Sequence, residues 1–454
     1  MFNHASFTAL LALLAAACLT QQAGAQDPLA PVVREALRNN LGLARERLAA
    51  ERGEAAVRQA RALYLPSLTL DSRRSEMRGV VDVGDFVNPA YRALNQVLGR
   101  DAFPTNVSAT LPQAQETRLR LAQPLYNRAI AAGYRASTGL RDAQDAGTRA
   151  AARQLAADAQ LAWLAAASAE RVAGLYRATL ALVEENVRVT ERLLANGTAT
   201  PDAVLRARAD RGEVAQQLAE AEQRRDGARR ALGYALGRPD GDAAEDVRLL
   251  ADSLLDFPLD RLTLDDALRS ARARREELTQ ADAGERVAAA QQRAASAAFY
   301  PTAAVAVDYG VQGSEYRFDR RSDVLVASLV VQWNLFSGGQ DAARRDQAAL
   351  DRRRARLTRA DAERAIELQV RQAYDAAAVA RGAIATADER LAAARRAYEL
   401  VSRRCQEGLA SQLELLDARA AYTRAGLNLI LTRYAYATRW VELERAAALR
   451  DLDF

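Results

Sequence analysis

The sequence predicts a mainly α-helical protein with a small β part, in which a unit of long antiparallel coiled-coil helices and two strands occurs twice. Three observations predict this fold class. Apolar residues recur every seven positions over long stretches, four short segments alternate polar and apolar residues, and several motifs appear twice in the same order. Ala, Leu, Arg, Glu and Gln dominate the 454 residues, which is typical of long helices rather than of several packed cores.

The ionisable residues exclude several kinds of chemistry. The one His, His4, lies in a segment that we expect to be removed, and Cys18 and Cys405 cannot form a CxxC motif. All 63 basic residues are Arg, so no lysine is available for a Schiff base or a P-loop. We therefore expect no enzyme activity, no cofactor and no metal site. The net charge of +5 comes without a basic stripe interleaved with aromatic residues, so we expect no binding to nucleic acid.

The first 25 residues are predicted to be a secretory signal peptide. Residues 7–18 are apolar but too short to cross a bilayer as a helix, and Ala23-Gly24-Ala25 fits the A-x-A cleavage pattern. The alternative is lipidation at Cys18, although Ala15 stands where lipoprotein signals usually have Leu. Either way, the chain is expected to leave the cytoplasm.

The duplicated unit sets the predicted domain boundaries. Its two copies are expected at 26–236 and 263–454, joined by a linker at 237–262 that is rich in acidic residues and contains two prolines. The first copy is predicted to have a helix at 34–62, strands at 63–70 and 117–126, a long surface loop at 71–116 and coiled-coil arms at 128–236. The second is predicted to have a helix at 266–298, strands at 303–311 and 324–333, and coiled-coil arms at 340–448.

Heptad seams run along the long arms. The first seam is Leu161, Ser168, Leu175, Leu182 and Val189. The second is Val370, Ala377, Ile384, Leu391, Tyr398 and Cys405, with a parallel row from Ile366 to Val401. Such a/d patterns predict coiled-coil packing, and the many Ala residues let helix axes approach closely. Asn196-Gly197 and Gly408 mark the reversals between antiparallel arms.

The four strands raise the question of what covers them. In lipid, a four-stranded sheet would leave costly unpaired edges, so closing it requires strands from other chains, and three chains would supply 12. Segment 324–333 fits a lipid-facing strand, because its alternate residues are apolar and the other face contains Ser328 and Gln332. The alternative is a small soluble β-domain on a coiled coil.

Three motifs carry a resemblance to a known family. They are Leu63-Tyr64-Leu65-Pro66 with Phe299-Tyr300-Pro301, the segment Trp333-Asn334-Leu335-Phe336-Ser337-Gly338-Gly339, and the segment from Glu407 to Arg419. With these motifs the chain resembles the TolC family of outer-membrane efflux and secretion channels along nearly all of its mature length. The resemblance implies a homotrimer with a 12-stranded barrel in outer-membrane lipid and an α-helical tunnel in the periplasm. It also implies two partners, a periplasmic adaptor (membrane fusion protein) and an inner-membrane transporter.

The resemblance further implies a passive exit duct, for an efflux pump or a type I secretion system, that is gated at its periplasmic tip. The positions that match the family's constriction are Glu414 and Asp417, and Arg403 and Arg404 are candidates for locking the closed state, since Ala410 stands where some members have a basic residue. The tip turns expected to contact the adaptor are Asn196, Gly197, Gly408, Leu409, Ala410 and Ser411.

A second hypothesis is that the chain is itself a periplasmic coiled-coil adaptor. Adaptors usually have one pair of helical arms flanked by domains with many short strands. The duplicated arms and the single strand pair in each copy favour the duct.

Overall fold

The computed structural model describes residues 29–76, 81–108, 110–111, 115–238, 257–313 and 322–452. These residues fall into two compact units. Unit 1 takes its described residues from Met1–Leu48, Ala146–Thr279 and Asp361–Phe454, and unit 2 from Ala49–Asp145 and Gln280–Ala360. The predicted signal peptide at 1–25 and most of the predicted linker lie outside the described residues.

Long helices account for most of the described chain. In chain order the α-helices are α1 Ala30–Asn39, α2 Leu41–Ala62, α3 Gly84–Leu98, α4 Arg128–Ala195, α5 Pro201–Ala235, α6 Leu264–Arg274, α7 Glu276–Ser296, α8 Gln340–Gln406 and α9 Gln412–Ala446. Short 3-10 helices occupy Leu259–Arg261 and Ala297–Phe299. The strands are β1 Ser67–Arg74, β2 Val81–Asp82, β3 Thr110–Leu111, β4 Gln115–Tyr126, β5 Thr302–Gly313 and β6 Asp323–Gln332. The predicted fold class is confirmed.

Three element predictions are corrected by the structure. The strand expected at 63–70 is Ser67–Arg74, because Leu63–Pro66 form the turn that leaves α2. The segment 71–116, expected to be a loop, contains the helix α3 and the short β2–β3 pair. The helix tolerates Pro89 in its second turn, where one intrahelical bond is lost, and the Asn88 and Asn95 side chains bond the backbone of Val107 and Phe103.

The third correction concerns the helices expected at 34–62 and 266–298, each of which is divided in two. The divisions are at Asn40 and Arg275, which lie 235 residues apart and have the same extended backbone conformation. In the first repeat, the end of α5 meets this division: a side chain at Gly237 would collide with the Asn39 carbonyl, and Arg238 pairs with Glu35. In the second, Arg275 donates to the Ala446 carbonyl at the end of α9. The duplication therefore includes this junction.

The cores of unit 1 surround these junctions. One cluster joins Trp163 and Leu164 of α4 to Leu232 of α5 and Val441 of α9. A second joins Leu268 of α6 to Val370 of α8 and Tyr436 of α9.

Unit 2 contains an antiparallel sheet in the order β1-β4-β5-β6. Its register places Leu70, Leu119, Tyr309 and Leu325 side by side on one face. The residues between them in sequence face the other way, where Arg120 pairs with Asp308. The sheet therefore has one mainly apolar face and one polar face. The strands connect to α2, α4, α7 and α8 at their ends Ser67, Tyr126, Thr302 and Gln332.

Candidate functional site

The candidate site lies where the two helical hairpins of unit 1 reverse. The α4–α5 turn and the α8–α9 turn have the same geometry. In each, the glycine has a left-handed backbone, with φ of +73° at Gly197 and +76° at Gly408. The Thr198 N–H bonds the Leu193 carbonyl as the Leu409 N–H bonds the Arg404 carbonyl. This helix-ending motif favours glycine because other residues are strained at positive φ.

Glu414 lies in the first turn of α9. The Ser411 hydroxyl accepts from the Glu414 N–H and donates to its carboxylate, both at 3.2 Å, so Ser411 caps the helix. Glu414 and Asp417 are both exposed and are one turn apart. Two carboxylates at this spacing project from one side of the hairpin end.

Arg403 and Arg404 bond within their own hairpin. Arg403 donates to the Glu399 carbonyl at 3.4 Å, and Arg404 donates to the Leu409 carbonyl at 3.1 Å. Arg404 therefore braces the turn in which Leu409 is exposed. Within the described part of one chain, neither guanidinium reaches the other hairpin.

Gln412 links the two hairpins instead. Its amide nitrogen donates to the Asn186 side-chain oxygen at 2.9 Å and to the Thr190 hydroxyl at 3.2 Å, both on α4. On its other side, the Cys405 thiol donates to the Gln412 carbonyl oxygen at 3.8 Å. Burial raises the pKa of the Cys405 thiol, and the Glu414 charge raises it further. The thiol therefore stays protonated and able to donate.

A buried ion pair forms the second link between the hairpins. Arg419 of α9 donates to Asp210 of α5 at 2.5 Å, and the two side chains are only 10% and 14% exposed. Burial raises the pKa of Asp210, although Arg419 opposes this shift, and the charge of Glu213 adds to it. The pair lies beside a groove of about 240 Å³ that Tyr176, Gln217 and Thr423 also line.

The sequence does not predict the roles of Gln412, Asp210 and Arg419, although Gln412 and Arg419 belong to the motif from Glu407 to Arg419. Arg208 occupies the corresponding position of the first repeat, 211 residues earlier. There the arginine pairs with Glu191 of its own hairpin at 2.8 Å, on the surface. The position that corresponds to Glu191 is Ser402. Because Ser402 offers no carboxylate, Arg419 finds its partner across the hairpins.

Membrane-spanning helices and metal-binding clusters are both absent from the described residues. None of their helices is both long enough and apolar enough to cross a bilayer. Nor do their His, Cys, Asp and Glu side chains come together in any group of three that could hold a metal ion.

The second repeat carries the match to a known family. The sequence profile of the outer membrane efflux protein family matches residues 267–449, from α6 to the end of α9. The second repeat is an outer membrane efflux protein domain. This match bears out, for the second repeat, the resemblance to the TolC family of outer-membrane efflux channels. No protein of curated function matches the sequence.

Solved membrane proteins share the fold of this chain. A membrane protein from Pseudomonas aeruginosa is 22% identical, with a TM-score of 0.76 over 92% of this chain and 93% of that one. The outer membrane protein VceC from Vibrio cholerae is 19% identical, with a TM-score of 0.74 over 92% and 95%. The outer membrane channel MtrE from Neisseria gonorrhoeae, solved in its open state, is 20% identical, with a TM-score of 0.71 over 93% and 89%. At these identities the likeness establishes the fold.

Proposed function

We propose that three copies of the chain form a passive exit duct, in which the strands close a 12-stranded barrel in the outer membrane and the helical hairpins build a tunnel in the periplasm. The observation that carries the proposal is the four-stranded sheet. Among the described residues its edges are β1 and β6, and neither pairs with a strand on its outer side. Each unpaired backbone group costs several kcal/mol in lipid, so the edges require strands from other copies.

The two faces of the sheet support this closure. In a barrel the apolar face, with Leu70, Leu119 and Leu325, meets lipid, and the polar face, with Arg120 and Asp308, lines the lumen. The adaptor alternative provides no lipid to cover the exposed leucines.

We place the gate of the duct at the ends of the hairpins. In a trimer, Glu414 and Asp417 would form two rings of three carboxylates, which favour cations in a narrow passage. The links made by Gln412 and by Arg419 hold the two hairpins of one chain together and so resist an outward movement of either. Arg403 and Arg404 remain candidates for contacts with a neighbouring copy.

The partners in this proposal are a periplasmic adaptor and an inner-membrane transporter that supplies the energy of an efflux pump or a type I secretion system. The exposed turns offer the adaptor its docking positions. These positions are Asn196, Gly197, Gly408, Leu409, Ala410 and Ser411.

Conductance in a planar bilayer tests the proposal. The purified wild-type protein should sediment in detergent as three chains and form a cation-selective pore. Glu414→Gln/Asp417→Asn should conduct more and select cations less, because the carboxylate rings are gone. Asp202→Asn is the matched control: it removes an exposed acid from the first turn of the other hairpin and should leave selectivity unchanged.

The outcomes separate the parts of the proposal. A pore that is indifferent to the double variant would retain the duct and remove Glu414 and Asp417 as its gate. A folded trimer without conductance would contradict the duct and favour the adaptor.

A further inference from the structure

The polar face of the sheet carries a cluster of ion pairs that the proposed function does not use. Arg73 pairs with Glu116 across β1 and β4 at 3.2 Å, and Arg118 bonds the other oxygen of Glu116 at 2.9 Å. Arg120 of β4 donates two hydrogen bonds to the Asp308 carboxylate of β5, at 2.6 and 3.1 Å.

The cluster is charge-balanced. Asp71 lies directly opposite Arg118 in the β1–β4 register and so adds a third carboxylate to the same face. We name the resulting set the arginine–carboxylate cluster: Arg73, Arg118 and Arg120 with Asp71, Glu116 and Asp308. The three positive and three negative charges of these side chains sum to zero.

The cluster occupies one level of the sheet. Its members lie towards the strand ends that are remote from α2, α4, α7 and α8. The half next to those helices presents small neutral residues on the same face, including Ala122, Ala304 and Ser328. Charge on this face is therefore concentrated at one end of the strands.

The backbone keeps the strands close at this level. A side chain at Gly310 would meet the Thr117 carbonyl at 2.1 Å, so no larger residue fits there. A hollow of about 240 Å³ lies beside Glu116, Arg118, Asp308 and Gly310. The charged side chains thus border open space rather than a packed core.

We propose that the arginine–carboxylate cluster forms a charge-balanced ring in the lumen, which prevents this part of the duct from selecting cargo by charge. The inference rests on the proposed trimeric duct. Each guanidinium is engaged by a carboxylate of the same face, so the ring offers neither a free cation for anionic cargo nor a free anion for cationic cargo. Charge selection is then left to the carboxylates of the hairpin ends.

Single neutralisations test the balance. They are best made in the Glu414→Gln/Asp417→Asn background. The carboxylates of the hairpin ends, which the same ions also pass, then cannot mask a change in selectivity at the ring. Asp308→Asn leaves Arg120 unpaired and should raise the anion-to-cation permeability ratio about twofold or more in 0.01 M KCl, where the Debye length is about 30 Å. Arg120→Gln should move the ratio the opposite way by a similar factor, and both changes should vanish in 1 M KCl.

The matched control restores the balance. Arg120→Gln/Asp308→Asn removes one charge of each sign and should return the reversal potential to that of the background protein. Asp71→Asn provides a second single variant at an exposed position, should Asp308→Asn fail to assemble.

The failures of the two proposals are distinguishable. Conducting trimers whose reversal potential ignores every single variant would overturn the ring and leave the duct standing. Absence of conductance from folded wild-type trimers would overturn the duct and the ring together.

Discussion

At the residue scale, Arg419 shows how one motif takes different partners in the two repeats. Its counterpart Arg208 forms an exposed pair with Glu191 of the same hairpin. Arg419 instead forms a buried pair with Asp210 of the other hairpin. Exposed pairs contribute little to stability, whereas a buried pair is costly to break because one charge is then left without a partner.

This difference predicts unequal costs for removing the two acids. Asp210→Ala should lower local stability around the pair by roughly 3 kcal/mol, because Arg419 would remain buried and unpaired. Glu191→Ala, the matched control, should cost less than about 1 kcal/mol. Amide hydrogen exchange of α5 and α9 measures both effects.

A double replacement checks the cause. Asp210→Leu/Arg419→Met removes both charges and keeps apolar volume, so exchange near the pair should return towards the wild-type rate. Equal exchange in Asp210→Ala and Glu191→Ala would show that burial adds nothing to the pair.

The sequence could predict the hairpin ends but not the links between them. Gly408 and Asn196-Gly197 are local signals, since a helix that ends at a left-handed residue favours glycine. The partners of Gln412 and Arg419 lie on another hairpin, more than 200 residues away in sequence. No local pattern encodes such a pairing.

At the scale of elements, the second heptad seam was predicted well and the first was not. Val370 and Ala377 are fully buried, as the second seam requires. Leu182 and Val189 of the first seam are instead 47% and 38% exposed, while Val183 and Thr190 are buried. On α4 another heptad row, Ala159, Ala166 and Ala173, also lies buried. The seven-residue period alone cannot decide which of the two rows is buried. The alanine row is buried because its small side chains let the partner helix approach most closely.

The junction between helices also differs between the repeats. Gly237 after α5 and Ala448 after α9, 211 residues apart, both have positive φ, of +71° and +51°. Glycine adopts this conformation freely, but alanine is strained in it. The second junction thus keeps the left-handed turn although Ala448 stands where the first junction has Gly237. Because the two residues differ, comparing the sequences of the repeats does not reveal that these turns correspond.

Acid should loosen the first junction. The Arg238 hydrogen bond lowers the pKa of Glu35, against a smaller opposing effect of burial. A lowered folded-state pKa contributes stability that is present above the ordinary carboxylate pKa and is lost as pH falls through the folded-state pKa. At pH 7 we expect amide hydrogens at the end of α5 to exchange more slowly in the wild type than in Glu35→Gln. This difference in protection should shrink as the pH is lowered to 3.

The matched control for this pH effect is Asp202→Asn, which alters an acid at the opposite end of α5. The pKa of Asp202 is also lowered, chiefly by its Thr200 hydrogen bond, but it does not contact the junction. Protection at the end of α5 that is the same in wild type and Glu35→Gln at every pH would contradict the role of the pair.

At the scale of the whole molecule, the alternation of the strands determines which changes a membrane would tolerate. Leu329 lies on the apolar face, opposite Val305, and its neighbour Ser328 lies on the polar face, opposite Ala306. Leu329→Arg should sharply reduce the folded protein in the outer membrane, because an arginine that faces lipid costs about 2–4 kcal/mol at the bilayer midplane.

Ser328→Arg is the matched control, one residue away on the same strand. It points into the proposed lumen, so the protein should assemble and only its conductance should change. Quantifying the folded protein in outer-membrane fractions measures both variants. Equal yields would contradict the assignment of the two faces.

The strand pattern was visible in the sequence, since residues 303–311 and 324–333 alternate and lie within two residues of β5 and β6. The order of the sheet was not, because the β4–β5 pairing joins segments almost 200 residues apart. The helix α3 was also missed. Its Gly and Pro residues are typical of loops, and the bonds from Asn88 and Asn95 that stabilise it are made to a segment further along the chain.

Cys405 gives the molecule a built-in chemical reporter. It is the free cysteine of the described chain, half-buried and hydrogen-bonded to the residue that joins the two hairpins. A thiol reacts with maleimide as its thiolate, and both burial and a raised pKa slow that reaction. Because the same Gln412 side chain bonds both this thiol and α4, the alkylation rate of the unmodified chain reports on the state of that link.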